Sequence, residues 1–161
     1  MISTPIRFIT VGTLKETYLR EAAAEYKKRL SGMVRMEEIE LKECKLSDNP
    51  SESEIKTALA TEAKAILAAV PPRAYLVAMC VEGKQMPSPE LAIKLENVGN
   101  QASEICFVIG SSYGLSPEVK NAAQLRLSVS ELTFPHQLMR VILYESVYRC
   151  CQISKGTKYH K

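Results

Sequence analysis

Apolar positions fall into runs whose spacing changes from segment to segment along the chain, and the spacing predicts the elements. Ile6–Val11 is a short apolar run with the length of a buried strand, and Gly12 turns the chain after it. Between Lys15 and Leu30, residues Tyr18, Leu19, Ala22, Ala23, Tyr26 and Leu30 recur on one helical face, and Gly32 closes the helix. Val34–Leu41 alternates apolar and charged residues with one slip, which predicts a strand of edge character. Ser51-Glu52-Ser53-Glu54 has the form of a capping box, in which the Ser51 oxygen and the Glu54 carboxylate satisfy free amides of the first turn. Ile55, Leu59, Ala63, Ile66 and Val70 continue that helix until Pro71-Pro72 stops it.

The second half repeats the alternation. Ala74–Val81 is almost wholly apolar, as a strand covered on both faces requires, and Glu82-Gly83-Lys84 reads as a turn. Ser88-Pro89-Glu90 and Ser116-Pro117-Glu118 each open a helix with a cap, a proline and then an acid near the positive end of the dipole. Ile105–Ile109 and Leu125–Val129 are the remaining strands, and Gln137–Ile153 is a long last helix followed by Ser154–Lys161. Five strands alternating with five helices predict an α/β domain, a mostly parallel sheet between layers of helices. Residues 1–161 form one domain, since no linker, repeat or low-complexity segment interrupts them.

Composition narrows the function classes. With 46% hydrophobic and 24% charged residues the chain has the make-up of a globular protein rather than a disordered one. The formal charge of +3 permits a nucleic-acid partner without demanding one. No apolar run approaches the ~18 residues of a membrane span. Met1–Pro5 lacks the charged start and apolar stretch of a signal peptide, so the expected location is the cytoplasm. Five cysteines, an odd number with Cys150 and Cys151 adjacent and no Cys-x-x-Cys pair, fit reduced thiols better than disulfides or a zinc site. Cys80 and Cys106 lie in strand-like runs and are expected to be buried; no metal is expected.

In sheets of this kind ligands bind beyond the carboxyl ends of the strands. Three such ends stand out: Val81-Glu82-Gly83, Ile109-Gly110-Ser111-Ser112-Tyr113-Gly114, and Val129-Ser130-Glu131-Leu132-Thr133-Phe134-Pro135. Glycines in the second let the backbone approach a ligand closely, although the same residues also suit a plain strand-to-helix turn. A dinucleotide reading is weak, because the middle glycine of Gly-x-Gly-x-x-Gly is missing. Pro135 precedes His136 and Arg140, which share one face of the first turn of the last helix. That helix is apolar around almost its whole circumference, so its outer face is expected to pack on a second copy in a homodimer; the alternative is a central helix of a monomer. The tail residues Lys155, Lys158, Tyr159, His160 and Lys161 suit an RNA backbone and base, or simple solvation.

The order Val108-Ile109-Gly110, Gly114-Leu115-Ser116, Leu127-Ser128, Leu132-Thr133-Phe134-Pro135-His136, Arg140-Val141, Glu145, Tyr148-Arg149 and Tyr159-His160-Lys161 closely resembles the RlmH type of SPOUT methyltransferase. The likeness runs the full length, with Val11-Gly12, Leu14-Lys15, Glu25-Tyr26 and Arg29-Leu30 matching the N-terminal pattern. The resemblance implies S-adenosylmethionine-dependent methylation of N3 of a pseudouridine in 23S ribosomal RNA. It also implies a three-layer sandwich with a five- to six-stranded sheet, a C-terminal trefoil knot, and two copies pairing to complete the site. The knot departs from the ordinary rule that chains do not thread loops.

Carried over position by position, the cofactor contacts implied are Met79, Gly110, Val129, Ser130, Glu131, Leu132, Thr133 and Phe134. His136, Arg140, Tyr159 and His160 are expected around the target base, with His160 or Tyr159 assisting deprotonation, and Arg149, Lys158 and Lys161 on phosphates. Two positions depart from the family pattern: Met79 replaces a leucine, and Ser111 replaces a second glycine. A positive φ at Ser111 would carry strain of roughly 1 kcal/mol. The modest net charge suits a large, preformed ribosomal surface better than naked RNA. Two rival readings remain: a non-catalytic nucleotide- or RNA-binding module with a degraded cofactor pocket, and an NAD-binding protein.

Overall fold

In the computed structural model, which describes residues 1–161, strands and helices alternate from end to end. They are β1 (Ile6–Val11), α1 (Thr17–Ser31), β2 (Met36–Leu41), α2 (Glu52–Ala68), β3 (Tyr75–Lys84), α3 (Ser88–Val98), β4 (Ile105–Ile109), α4 (Pro117–Ala122), β5 (Leu125–Leu127) and α5 (His136–Lys155). The sheet has the order β2-β1-β4-β3-β5, and every pairing is parallel. Parallel neighbours need a crossover, which the helices supply.

Alternation along each strand sends side chains to two separate cores. On one face Phe8, Val77, Ile105 and Phe107 pack with Leu143, Tyr144 and Val147 of α5 and with α1 and α3. Phe8 stacks on Phe107 at 5.7 Å and meets the edge of Tyr144 at 4.6 Å between ring centroids. On the other face Ile9, Val11, Leu76, Ala78 and Val108 meet Ala63 and Ile66 of α2 and Val119 of α4. All five residues of β4 are buried, as its place in the middle of the sheet requires.

The Ser51 capping box forms as expected: Glu54 N donates to Ser51 Oγ at 3.1 Å and Ser51 N donates to Glu54 Oε1 at 3.3 Å. Ser116 caps α4 by accepting from Val119 N. Ser88 does not act as a cap. Pro87 already holds the extended backbone of that position (φ −63°, ψ 152°), so the helix begins one residue earlier than the pattern implies.

The expected turn at Glu82-Gly83-Lys84 is instead the last stretch of β3, with Lys84 paired to Leu127 beyond an irregularity. Gly83 makes this approach feasible, because a Cβ there would sit 2.7 Å from the Leu127 carbonyl carbon. Conversely β5 stops at Leu127, two residues short of the expected end.

α5 lies between α1 and α3 on one sheet face. Leu143, Tyr144, Val147, Cys150 and Cys151 are buried there, while Val141, Ile142, Tyr148 and Ile153 are half-buried and Leu138 is exposed. Within one chain the helix is therefore covered on its inner side only. Cys106, Cys150 and Cys151 are buried, and burial pushes their thiols up to about 12, 12 and 11, which keeps them protonated and inert. Cys80 is half-buried rather than buried, since β3 turns its end toward a cavity.

A candidate ligand cavity at the strand ends

Because all five strands point the same way, the carboxyl ends of β3, β4 and β5 converge, and a cavity of about 740 Å3 opens there. That volume lies within the range of ~300–1,000 Å3 typical of small-ligand sites. Its walls are the end of β3 (Met79–Glu82), the loop Gly110–Gly114, the loop from Ser128 to Pro135, and His136 and Met139 of α5.

Gly110 is fixed by space. A Cβ at this position would lie 2.2 Å from the Gly114 carbonyl oxygen, so any side chain would push the two limbs of the loop apart. The loop closes as a turn in which Gly114 N donates to Ser111 O at 2.8 Å, with Gly114 at φ +85°. Ser111 itself has no positive φ, so the strain that a left-handed serine would carry is absent. Its hydroxyl instead donates to Glu62 Oε1 at 3.2 Å, and Cys44 N donates to the other Glu62 oxygen at 2.9 Å. A buried acid on α2 thus pins the loop from beneath.

The second loop is held by its own polar groups. Ser128 N donates to Lys84 O, the Ser128 hydroxyl donates to Ser130 O, and Leu132 N donates to Ser130 Oγ, each at 3.0 Å. Seven of the eight residues expected to hold a cofactor line the cavity: Met79, Gly110, Val129, Ser130, Leu132, Thr133 and Phe134. Glu131 is exposed and does not. Ser128 of the family pattern lines it as well, and so do Glu82, Tyr113 and Lys120, whose side chains the sequence pattern does not single out. Glu82 lies within a strand end selected by position, where the pattern predicts a turn. Lys120, one turn into a short helix, carries no comparable local signal.

Among the lining residues only Glu82, Lys120 and His136 carry a carboxyl, amino or imidazole group. Lys120 Nζ pairs with Glu82 Oε1 at 2.5 Å and holds that carboxyl below the usual carboxylate range. His136 is half-buried, and burial lowers its pKa below the ordinary 6.5 against the opposing influence of Glu43. Its imidazole is therefore neutral at neutral pH and free to accept a proton.

Arg140 lies one turn further along α5, as expected, but it does not reach the cavity. Its buried guanidinium donates to Glu40 Oε2 at 2.8 Å and to the Gly12 carbonyl at 2.7 Å. It thereby fastens α5 to the ends of β1 and β2, and the chain does not join it to His136 in one site.

The tail is also held apart from the cavity. Gly156, at φ +78°, ends α5 and turns the chain back. The Tyr159 hydroxyl donates to Glu145 Oε1 at 3.2 Å, and its ring meets Tyr148 at 5.0 Å. Arg149 lies 4.8 Å over the Tyr159 ring and 3.2 Å from His160 Nδ1. Lys158 and Lys161 are exposed. Tyr159 folds back only as far as Glu145, which is roughly 14 Å along the helix axis from His136. One chain therefore carries two separate clusters, the cavity with His136 and the tail with Tyr159 and His160.

No helix is long and apolar enough to cross a membrane. No group of three or more His, Cys, Asp or Glu side chains is arranged to hold a metal ion.

Comparison with known proteins shows the family. A family model described as "Predicted SPOUT methyltransferase" matches residues 4–160. Ribosomal RNA large subunit methyltransferase H of Streptococcus thermophilus is 49% identical over 157 residues, covering 97% of this chain and 99% of that one. The proteins of the same name from Caldicellulosiruptor bescii and Leuconostoc mesenteroides are 48% and 45% identical, with the same coverage. Among solved structures, a probable methylase family protein from Haemophilus influenzae aligns with a TM-score of 0.53 at 14% identity, covering all of this chain and 72% of that one. A structure concerned with 2-OH methylation of C/U34 on tRNA aligns with a TM-score of 0.51 at 13% identity, covering 95% of this chain and 98% of that one. These two likenesses bear on the fold alone. With a family match over nearly its whole length and relatives this similar, the chain belongs to the SPOUT methyltransferases.

Proposed function

We propose that this protein transfers a methyl group from S-adenosylmethionine to N3 of a pseudouridine in 23S ribosomal RNA, within an assembled ribosomal surface. The observation that carries the reading is the cavity itself. It is walled by the three strand-end segments that the family resemblance assigns to the cofactor, around a Gly110 that tolerates no side chain. The names of the relatives support a ribosomal RNA substrate.

When bound, S-adenosylmethionine supplies an electrophilic methyl carbon on a sulfonium. Met79, Gly110 and the 129–134 loop would hold it, with backbone amides and carbonyls recognising adenine where side chains are mostly apolar. This chain's own task is then to orient the base and to manage a proton, because the imide N3 must lose its proton to become a nucleophile. His136, neutral at the cavity wall, is suited to accept it. Burial, then Glu145, raise the Tyr159 pKa above that of an ordinary phenol, so Tyr159 serves as a hydrogen-bond donor rather than a base. His160 assists from the same tail, while Arg149, Lys158 and Lys161 face RNA phosphates.

The separation of tail and cavity within one chain supports a homodimer in which each tail completes the partner's cavity. The half-covered outer side of α5 suits the seam. A C-terminal trefoil knot belongs to the same reading: after β5, at the sheet edge, the 128–135 segment returns to place α5 between α1 and α3.

Calorimetry with S-adenosylmethionine and with NAD separates this function from its rivals. Saturable binding of S-adenosylmethionine and no heat with NAD is the expected result. Binding of neither would favour a non-catalytic RNA-binding module, and binding of NAD alone would overturn the methyl-donor reading.

A further inference from the structure

The cavity pairs one carboxylate with one ammonium at its mouth, and nothing in the cofactor assignment above uses them. Lys120 reaches the wall from α4, whose start is fixed by the Ser116 cap. Glu82 arrives because β3 runs on past Met79, with Gly83 allowing close approach to β5. The two side chains are paired at 2.5 Å, with Lys120 24% and Glu82 55% exposed. Arg126 is fastened beside them through the Lys120 carbonyl at 3.1 Å and Asn121 Oδ1 at 2.7 Å. The remainder of the lining is apolar or neutral apart from His136, which burial keeps uncharged.

We propose that Glu82 and Lys120 form the subsite for the α-amino-acid end of S-adenosylmethionine, Lys120 Nζ meeting its carboxylate and the Glu82 carboxylate meeting its ammonium. The inference rests on the methyl-donor reading of the cavity. That ligand brings a carboxylate and an ammonium side by side, and leaving either unpaired against an apolar wall is costly. A fixed acid–base pair presents the complementary zwitterion. Ligand and protein pairs lying antiparallel place each charge beside two of opposite sign, so binding does not require the Glu82–Lys120 bond to break. The exposure of the pair puts this end of the ligand at the mouth and leaves the Gly110 loop for the adenosine.

The test compares two unreactive ligands, S-adenosylhomocysteine and 5′-methylthioadenosine, which share the thioadenosine but differ in the amino-acid end. Calorimetry is carried out on the full chain and on its K120Q and E82Q variants. The unsubstituted protein should bind S-adenosylhomocysteine at least about tenfold more tightly than methylthioadenosine. Each substitution should remove most of that preference while leaving methylthioadenosine affinity within about twofold, which also shows that the variants are folded. Equal weakening of both ligands, or no change in either, would overturn the subsite. Failure of the unsubstituted protein to bind either ligand would contradict the methyl-donor reading, and the subsite with it.

Discussion

Arg140 Nη1 stands 2.8 Å from Glu40 Oε2, tying α5 to the end of β2 from a position where the Arg140 side chain is only 3% exposed. A cation so placed depends on its partner, since removing the carboxylate leaves a buried guanidinium whose remaining acceptor is the Gly12 carbonyl. Because the Glu40 side chain is 37% exposed and water can partly replace it, Glu40→Ala should lower the free energy of unfolding by about 2 kcal/mol. Urea denaturation measures this, and an unchanged midpoint would show that the ion pair does not hold α5 in place.

Gly110→Ala places a methyl group where the Gly114 carbonyl already lies. The loop must open to accept it, and S-adenosylmethionine affinity should fall by at least about tenfold. Retained affinity in calorimetry would mean that the close approach of the two limbs does not shape the site.

The pH dependence follows from His136. Its folded-state pKa is depressed by burial, so the unfolded chain takes up the proton at higher pH than the folded chain does. Its contribution to stability is complete above the ordinary imidazole value of 6.5 and is lost as the pH falls from there through the folded-state value. His136→Gln should flatten the dependence of unfolding free energy on pH as the pH falls below 6.5. An unaltered slope would mean that His136 titrates as if exposed.

Separate tail and cavity clusters give a prediction about assembly. Deleting Tyr159–Lys161 should abolish most methyl transfer while leaving cofactor affinity nearly intact. Mixed dimers of His136→Ala chains with tail-deleted chains should recover activity that neither variant has alone, because one of the two sites then has both parts. Sedimentation should show a dimer at micromolar concentration. A monomer, or no recovery in the mixed dimers, would contradict sharing of the site between copies.

Much of this fold was legible in local patterns because local physics decides it. The Ser51 box and the Ser116 cap are made by side chains within three residues of the amides they satisfy. The apolar run of β4 reflects burial on both faces. What escaped depends on partners distant in sequence. Whether Glu82-Gly83-Lys84 turns or stays extended is decided by Leu127, which lies beside it only after folding. Arg140 shares a helix face with His136, yet Glu40, a hundred positions earlier, draws it away from the cavity. Ser111 departs from the family glycine without backbone strain because Glu62 of α2 accepts its hydroxyl. The positions of the cofactor loops were found through strand ends, whereas Lys120 enters the site by the packing of α4 alone.

The most direct test incubates the protein with S-adenosylmethionine carrying a labelled methyl group and ribosomes from a strain that lacks the modification, then locates the label by mass spectrometry. The label should appear on N3 of one pseudouridine in 23S ribosomal RNA, with no transfer by the tail-deleted protein. Label on another atom or another RNA, or none at all with active cofactor binding, would contradict the proposed function.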